Sequence, residues 1–453
     1  MRIEMKLHTK ESGFSLIELM VAMLIGVIIL LGLLSLFTSS SALNRSQSGL
    51  SILQENGRYA ITRIKTDIEL AGRKHCATLA LPNEFVVDWN QGYLMNSWTV
   101  DRNVAFNNGW PLASQVRLDT VTALERNQLS DTAFTATTLT AFPLDPAFFM
   151  KGHDCVAGTC TPATNVLGAD SSAAVPGGGS TNGSRALNTD VLTVRYLSGG
   201  TQVNAITEPA GPGLPAIITL DEDPGVSTNN SPAIIGDCDT TFVSNAVWAG
   251  TSVSMNSLAF PSVSVASDTK LFSYTDDLRT VTYHLELATD PNDANRLISS
   301  LMRTQNGTTQ LIVEGVERFD LFYLAQLQTG EVARLTAGQV EAVTGGGDIN
   351  SDGAVDVRQG CIQPPRVSPA TKALGLGIAN DAGCLWRSIY AVEINLLLNT
   401  VNNSSQLDTD SFIYTPDGNA AQKPTTLLPS GLPRERMYRR QFSAVVPIRS
   451  YTL

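Results

Sequence analysis

Apolar residues change their rhythm along this chain. From Phe14 to Phe37 nearly every position is apolar, and Glu18 is the only ionisable side chain. As a helix this run extends about 36 Å, enough to cross a bilayer. Beyond the Ser39-Ser40-Ser41 break, apolar positions thin out to Leu50, Leu53, Ile61, Ile64, Ile68 and Ala71, with Gly57 bridging the longest gap. Intervals of three, four and seven put them on one helix face. Arg58, Arg63, Lys65, Asp67 and Glu69 are expected on the opposite, solvated face, and Gly72 is a C-terminal stop. One helix from Phe14 to about Ala71 would be about 87 Å long. Its first half would sit in lipid or among neighbouring helices, and its second half would dock on a globular head.

After Cys76 the period shortens to two. Thr189 to Gly200 alternates Val191, Thr193 and Arg195 against Leu192, Val194 and Tyr196, and ends in a glycine pair. Arg279 to Ala288 alternates likewise, Thr308 to Leu327 reads as two strands around Glu314-Gly315, and Ser388 to Thr400 is a strongly apolar strand. Arg439 to Tyr451 closes the chain as a strand that Pro447 confines to a sheet edge. Gly168 to Ser184 is a flexible Gly/Ser loop.

Glu18 is the position that a plain anchor does not explain. A carboxylate within hydrocarbon costs a few kcal/mol unless it is paired. The preceding Met1–Gly13 segment is polar, and no small-residue cleavage site follows the apolar run, which is too long for a secretory signal. A cut between Gly13 and Phe14 would place a new α-ammonium one helical turn from Glu18, supplying the opposite charge.

The stretch "GFSLIELMVAMLIG" (13–26) resembles the class III signal of type IV pilins and type II secretion pseudopilins. The resemblance implies a prepilin leader at 1–13, cleavage by prepilin peptidase after Gly13, methylation of Phe14 and an assembly role for Glu18. The strand sequences "DVLTVRY", "LIVEGVERFDLFY", "AVEINLLL" and "RRQFSAVVPIR" resemble the PilW family of minor pilins, related to the J-type minor pseudopilins. The expected fold is therefore α+β and pilin-like: a membrane or filament-core helix at 14–37, its amphipathic continuation at 38–72, and a β-rich antiparallel head at 73–453. Segments of about 81–188 and 199–270 match nothing in that pattern and are expected to be insertions enlarging the head.

Composition narrows the function. The net charge is −11, only 16% of residues are charged, and no basic cluster interleaved with aromatics occurs, which argues against a nucleic-acid partner. The six cysteines, Cys76, Cys155, Cys160, Cys238, Cys361 and Cys384, all follow the apolar run, as expected of disulfides in an oxidising compartment. Local spacing favours Cys155–Cys160 and Cys361–Cys384, leaving Cys76 with Cys238. No C-x-x-C is present, and the four histidines show no paired metal spacing. Neither a G-x-S-x-G, an H-E-x-x-H nor a phosphate-cradling glycine loop is present, so no enzyme is expected.

"DINSDGAVD" (348–356) carries oxygen ligands at calcium-loop spacing. Asp348, Asn350, Asp352 and Asp356 fall at loop positions 1, 3, 5 and 9, with Gly353 at the turn and the Ala354 carbonyl at position 7. Gln359 stands where a bidentate glutamate belongs. Ca2+ is the cofactor this loop would take, and a solvated Asp/Asn/Gly turn is the plainer alternative.

The resemblance implies a minor pilin in the bacterial inner membrane, single-pass with a periplasmic head, and later in the pilus fibre or tip. Its partners would be other minor and major pilins, prepilin peptidase, the inner-membrane pilus assembly machinery and a PilY-type tip adhesin. A J-like pseudopilin of a type II secretion system is the alternative within this class. An anchored surface module whose head recognises a receptor or DNA is the alternative outside it.

Overall fold

The computed structural model describes residues 15–72, 99–101, 141–143, 149–164, 175–209, 214–236, 241–256, 268–326, 332–342, 389–402, 411–423 and 437–448, with residues 211, 265, 385–386 and 432 besides. A single helix, α1 (Leu16–Leu70), precedes a head of strands. Ser15 starts the helix as its N-cap. Beyond the last turn Gly72 takes a positive φ of 63° and donates its N–H to the Arg195 carbonyl at 3.0 Å, fixing the chain's exit against the head. The expectation of one continuous helix with an antiparallel β head holds.

The strands run in order β1 (Thr99–Asp101), β2 (Ala141–Pro143), β3 (Met150–Val156), β4 (Thr159–Thr161), β5 (Gly178–Gly179), β6 (Arg185–Ala186) and β7 (Val191–Leu197). Next come β8 (Thr201–Thr207), β9 (Pro215–Leu220), β10 (Ala233–Gly236), β11 (Thr241–Ala249), β12 (Ser252–Asn256) and β13 (Lys270–Ser273). The chain ends with β14 (Leu278–Asp290), β15 (Asp293–Gln305), β16 (Thr308–Glu314), β17 (Val316–Gln326), β18 (Val332–Leu335), β19 (Ile389–Asn399) and β20 (Arg439–Pro447).

Two sheets carry the helix. One runs β16-β15-β14-β7-β3-β4, and the other runs β18-β17-β19-β20. Between β16 and β17 the chain passes from one sheet to the other at Gly315, whose φ is 81°. A Cβ there would collide with Asn399 and Val401, so glycine is required at this corner. The strands legible from alternation are β7, β14, β16 with β17, β19 and β20. Among the described residues β20 pairs only with β19, which puts Pro447 on an edge strand as its chemistry demands.

The packed face of α1 is formed by Leu53, Gly57, Ala60, Ile64, Asp67 and Ile68. Gly57 lies against the Phe442 ring of β20, where any side chain would meet the aromatic carbons. The apolar members join Val194, Tyr283, Leu285, Phe319, Ile394 and Leu396 in one core shared by helix and both sheets.

The segment at 199–270 contains strands that its sequence did not announce. β8, β9, β12, β11, β10 and β13 pair in that order, and the β13–β8 ladder returns the last strand to the first. They form a closed barrel with its own core of Val203, Ile218, Leu220, Ile235, Phe242, Trp248, Val253, Met255 and Leu271 among others. β1 adds parallel to β11, with β2 beyond it.

Candidate assembly site and the helix–head lock

The first turn of α1 is built by a reciprocal pair. The Ser15 Oγ accepts the Ile17 N–H at 3.2 Å, and the Glu18 carboxylate accepts the Ser15 N–H at 3.0 Å. This capping box satisfies donors that the start of a helix otherwise leaves open, and it sets a negative charge at the positive end of the helix dipole. An ionised carboxylate offers about four lone-pair sites. The Ser15 N–H occupies one, so Glu18 retains capacity for a cation. Gly13 and Phe14 lie outside the described residues.

Beyond this turn the helix stands clear of the head. Leu16, Met20, Met23, Ile25, Ile28 and Leu31 are each at least 50% exposed, on all sides of the helix. Water would not tolerate such a surface, so it belongs in lipid or among other helices. α1 is long and apolar enough to cross a membrane.

The last turns are fixed to the head by a buried charge. Asp67, which its place among polar residues assigned to the solvated face, is instead 1% exposed. Its Oδ2 accepts Arg303 Nε at 2.8 Å and its Oδ1 accepts Nη2 at 3.3 Å. The Tyr196 hydroxyl donates to Oδ1 at 3.0 Å, and the Tyr283 hydroxyl donates to Oδ2. Burial, helped by the Asp67 charge, pushes the Tyr196 phenol up to about 12 and that of Tyr283 higher still. Burial alone would lower the Arg303 guanidinium, but its hydrogen bond to Asp67 outweighs that and holds it above its ordinary value. The reason for the misplacement is geometric: Asp67 lies seven residues after Ala60 and three after Ile64, on the same face as the apolar contacts. That spacing was the available signal.

Further polar groups tie the strands together. Glu317 of β17 and Arg439 of β20 pair at 2.7 Å, and Asn399 donates to the same carboxylate at 2.7 Å. Burial nevertheless raises the Glu317 carboxyl. Arg318 binds Asp320 at 3.0 Å and Asp417 at 3.2 Å, and Tyr414 donates to Asp320. All these groups have partners within the fold, so they read as structural.

Cys155 and Cys160 are joined by a disulfide across the β3–β4 hairpin, where they are directly opposed. Cys76, Cys238, Cys361 and Cys384 lie outside the described residues, as do Asp348, Asn350, Asp352, Ala354 and Asp356. Among the described residues, no group of three or more His, Cys, Asp and Glu side chains is placed to hold a metal. His153 and His284 are buried, and burial lowers both imidazoles to about 4.

Comparison with known proteins adds one match. A family model described as the prokaryotic N-terminal methylation motif covers residues 8–34, the segment containing Gly13, Phe14 and Glu18. No curated protein and no solved structure matches the chain. The methylation motif at residues 8–34, with the exposed apolar helix and the antiparallel head, supports a type IV pilin-like protein with a prepilin-type N-terminus.

Proposed function

We propose that this protein is a minor pilin of a type IV pilus, of the PilW kind, assembled with other minor pilins to prime or cap the filament. The observation that carries this reading is the position of Glu18. It is the one carboxylate on an otherwise exposed apolar half-helix, accepting only the neutral Ser15 N–H among the described residues and so able to take a cation. Prepilin peptidase cuts after Gly13 and the new Phe14 amine is methylated. In the inner membrane the helix anchors the subunit with its head in the periplasm. On assembly Glu18 pairs with the Phe14 ammonium of a neighbouring subunit, removing two unpaired charges from an apolar surrounding at once. Exposed Met20, Ile25 and Ile28 then pack among neighbouring helices. The role is one of assembly, with no catalytic step. Mass spectrometry of the mature protein tests the reading: the N-terminus is methyl-Phe14, and an intact Met1 terminus would overturn it.

The head also has a place for calcium in this reading. Asp348, Asn350, Asp352 and Asp356 supply side-chain oxygens at calcium-loop spacing, with the Ala354 carbonyl between them. A calcium titration raises the melting temperature of the full-length protein but not of Asp352→Ala. Equal responses would remove calcium from the account.

A further inference from the structure

The barrel enters and leaves the head at one point. β7 ends at Leu197 and β14 begins at Leu278, and these two residues are directly paired. Just beyond them Ser198 donates its N–H to the Asp277 carbonyl at 3.0 Å. Gly199 and Gly200 both take positive φ, 110° and 84°. A Cβ on Gly199 would strike the Asp277 carboxylate, and one on Gly200 would strike the Phe272 ring. The Asp277 carboxylate in turn accepts the Ser273 N–H at 2.8 Å. Everything from β8 to β13 is therefore a loop between paired residues of one hairpin, closed by a narrow neck.

Within that loop six strands close a ring of their own, and β1, from earlier in the chain, is added to it along β11. Each of the six strands pairs with two others of the six: β8 with β9 and β13, β12 with β9 and β11, and β10 with β11 and β13. Its interior side chains form a core distinct from the one shared by α1 and the two sheets. Among the described residues, contact with the main core runs through one rung of the barrel and through Tyr274 just after β13. Ile234 of β10 is paired with Val243 of β11 and with Phe272 of β13, and all three belong to the main core. The next rung, Phe242, Ile235 and Leu271, points into the barrel. Strand alternation thus divides one three-strand patch between a docking seam and a separate interior.

We infer that Ser198–Asp277 encloses a self-contained domain grafted onto the β7–β14 hairpin, folding as its own cooperative unit and carried by the subunit without taking part in its assembly. A ring closed by its own six strands and filled by its own core draws on the rest of the head only for the β1 pairing and the docking seam. The hairpin that carries it is already closed by its own ladder. The second half of the inference rests on the pilin reading above, since it defines assembly.

Hydrogen exchange of the full-length protein in detergent tests the folding unit. Val253 lies fully buried inside the barrel. Val253→Ala is expected to speed amide exchange in β8–β13 by roughly tenfold or more, while β14, β15, β17 and β19 change by less than about twofold. Equal acceleration in both groups would show one cooperative unit and overturn the inference. A second variant replaces Gly199–Asp276 with Asn-Gly, a two-residue hairpin turn between Ser198 and Asp277. It is expected to keep protection in β14, β15, β17 and β19 and to enter filaments at the wild-type level. Loss of either while the wild type retains both would refute the graft. If the wild type itself never enters filaments, the pilin reading fails, and the exchange experiment alone decides the domain.

Discussion

Asp67 of α1 and Arg303 of β15 form a salt bridge of 2.8 Å with side chains only 1% and 3% exposed. It joins the helix to a strand 236 residues away. Such a pair is costly to bury and costlier to break. Removing one partner leaves the other charge without compensation, at about 3–5 kcal/mol. Asp67→Ala is therefore expected to lower the unfolding free energy by roughly that amount in denaturant titration. Replacing both residues together is expected to cost less than the sum of the single changes. Additive losses would show that the two side chains are not coupled.

Glu18 should separate anchoring from assembly. Glu18→Ala makes the apolar run more hydrophobic, so membrane insertion and N-terminal processing are expected to persist. Entry into filaments is expected to fall at least tenfold, read by immunoblotting of sheared pili against whole cells. Wild-type levels of the variant in the sheared fraction would leave Glu18 with only its capping role toward Ser15.

Gly152 of β3 makes room for the Tyr323 ring of β17. A Cβ at position 152 would overlap the Tyr323 hydroxyl, and Tyr323 is fully buried with Trp386 edge-on at 4.9 Å. Gly152→Ala is expected to destabilise by about 2 kcal/mol or more through overpacking. Among the described residues the Tyr323 hydroxyl has no hydrogen-bond partner. Removing an unsatisfied buried hydroxyl relieves a desolvation penalty, so Tyr323→Phe is expected to raise the melting temperature. In combination Tyr323→Phe should recover part of the loss from Gly152→Ala. An unchanged double-variant deficit would reject the clash as its cause.

His284 is expected to make the fold sensitive to acid. Burial, with the Arg185 charge adding, lowers its imidazole from 6.5 to about 4; among the described residues neither ring nitrogen is hydrogen-bonded, the Glu286 carboxylate lying 3.7 Å from Nε2. With the folded value depressed, the unfolded chain binds the extra proton between those limits. The contribution is thus fully present above about pH 6.5 and is lost as pH falls toward 4, amounting to roughly 3 kcal/mol. Carboxyls such as Glu317, raised by burial, titrate in the opposite sense, so the contribution is read as a difference. Comparing wild type with His284→Leu over pH 4 to 7, the variant should lose less stability on acidification. Parallel curves would contradict the assignment.

What could be read from the sequence depended on how local each signal was. Glu18 stood out because nothing else near it is charged, and β19 because Val392, Ile394 and Leu396 repeat at the strand period. Asp67 was misplaced because composition sees a carboxylate as a solvent group. Only Tyr196, Tyr283 and Arg303, far along the chain, make its burial tolerable. The barrel was read as an unrecognised insertion for a related reason. Its strands are short and rich in Ser, Thr and Ala, and the closing β13–β8 ladder joins residues nearly seventy positions apart. Closure is a property of pairing, which no single window of sequence contains.

The Leu197–Leu278 pairing has a mechanical side. A pull on α1 reaches the head through Asp67 and the packed helix face and spreads into β7, β14 and β15. Where the covalent chain would lead that force out through β8, the β7–β14 ladder returns it across a hairpin whose strands bear it in shear. The barrel hangs beside the path of tension, so a subunit can be dragged by its helix without the barrel being stretched.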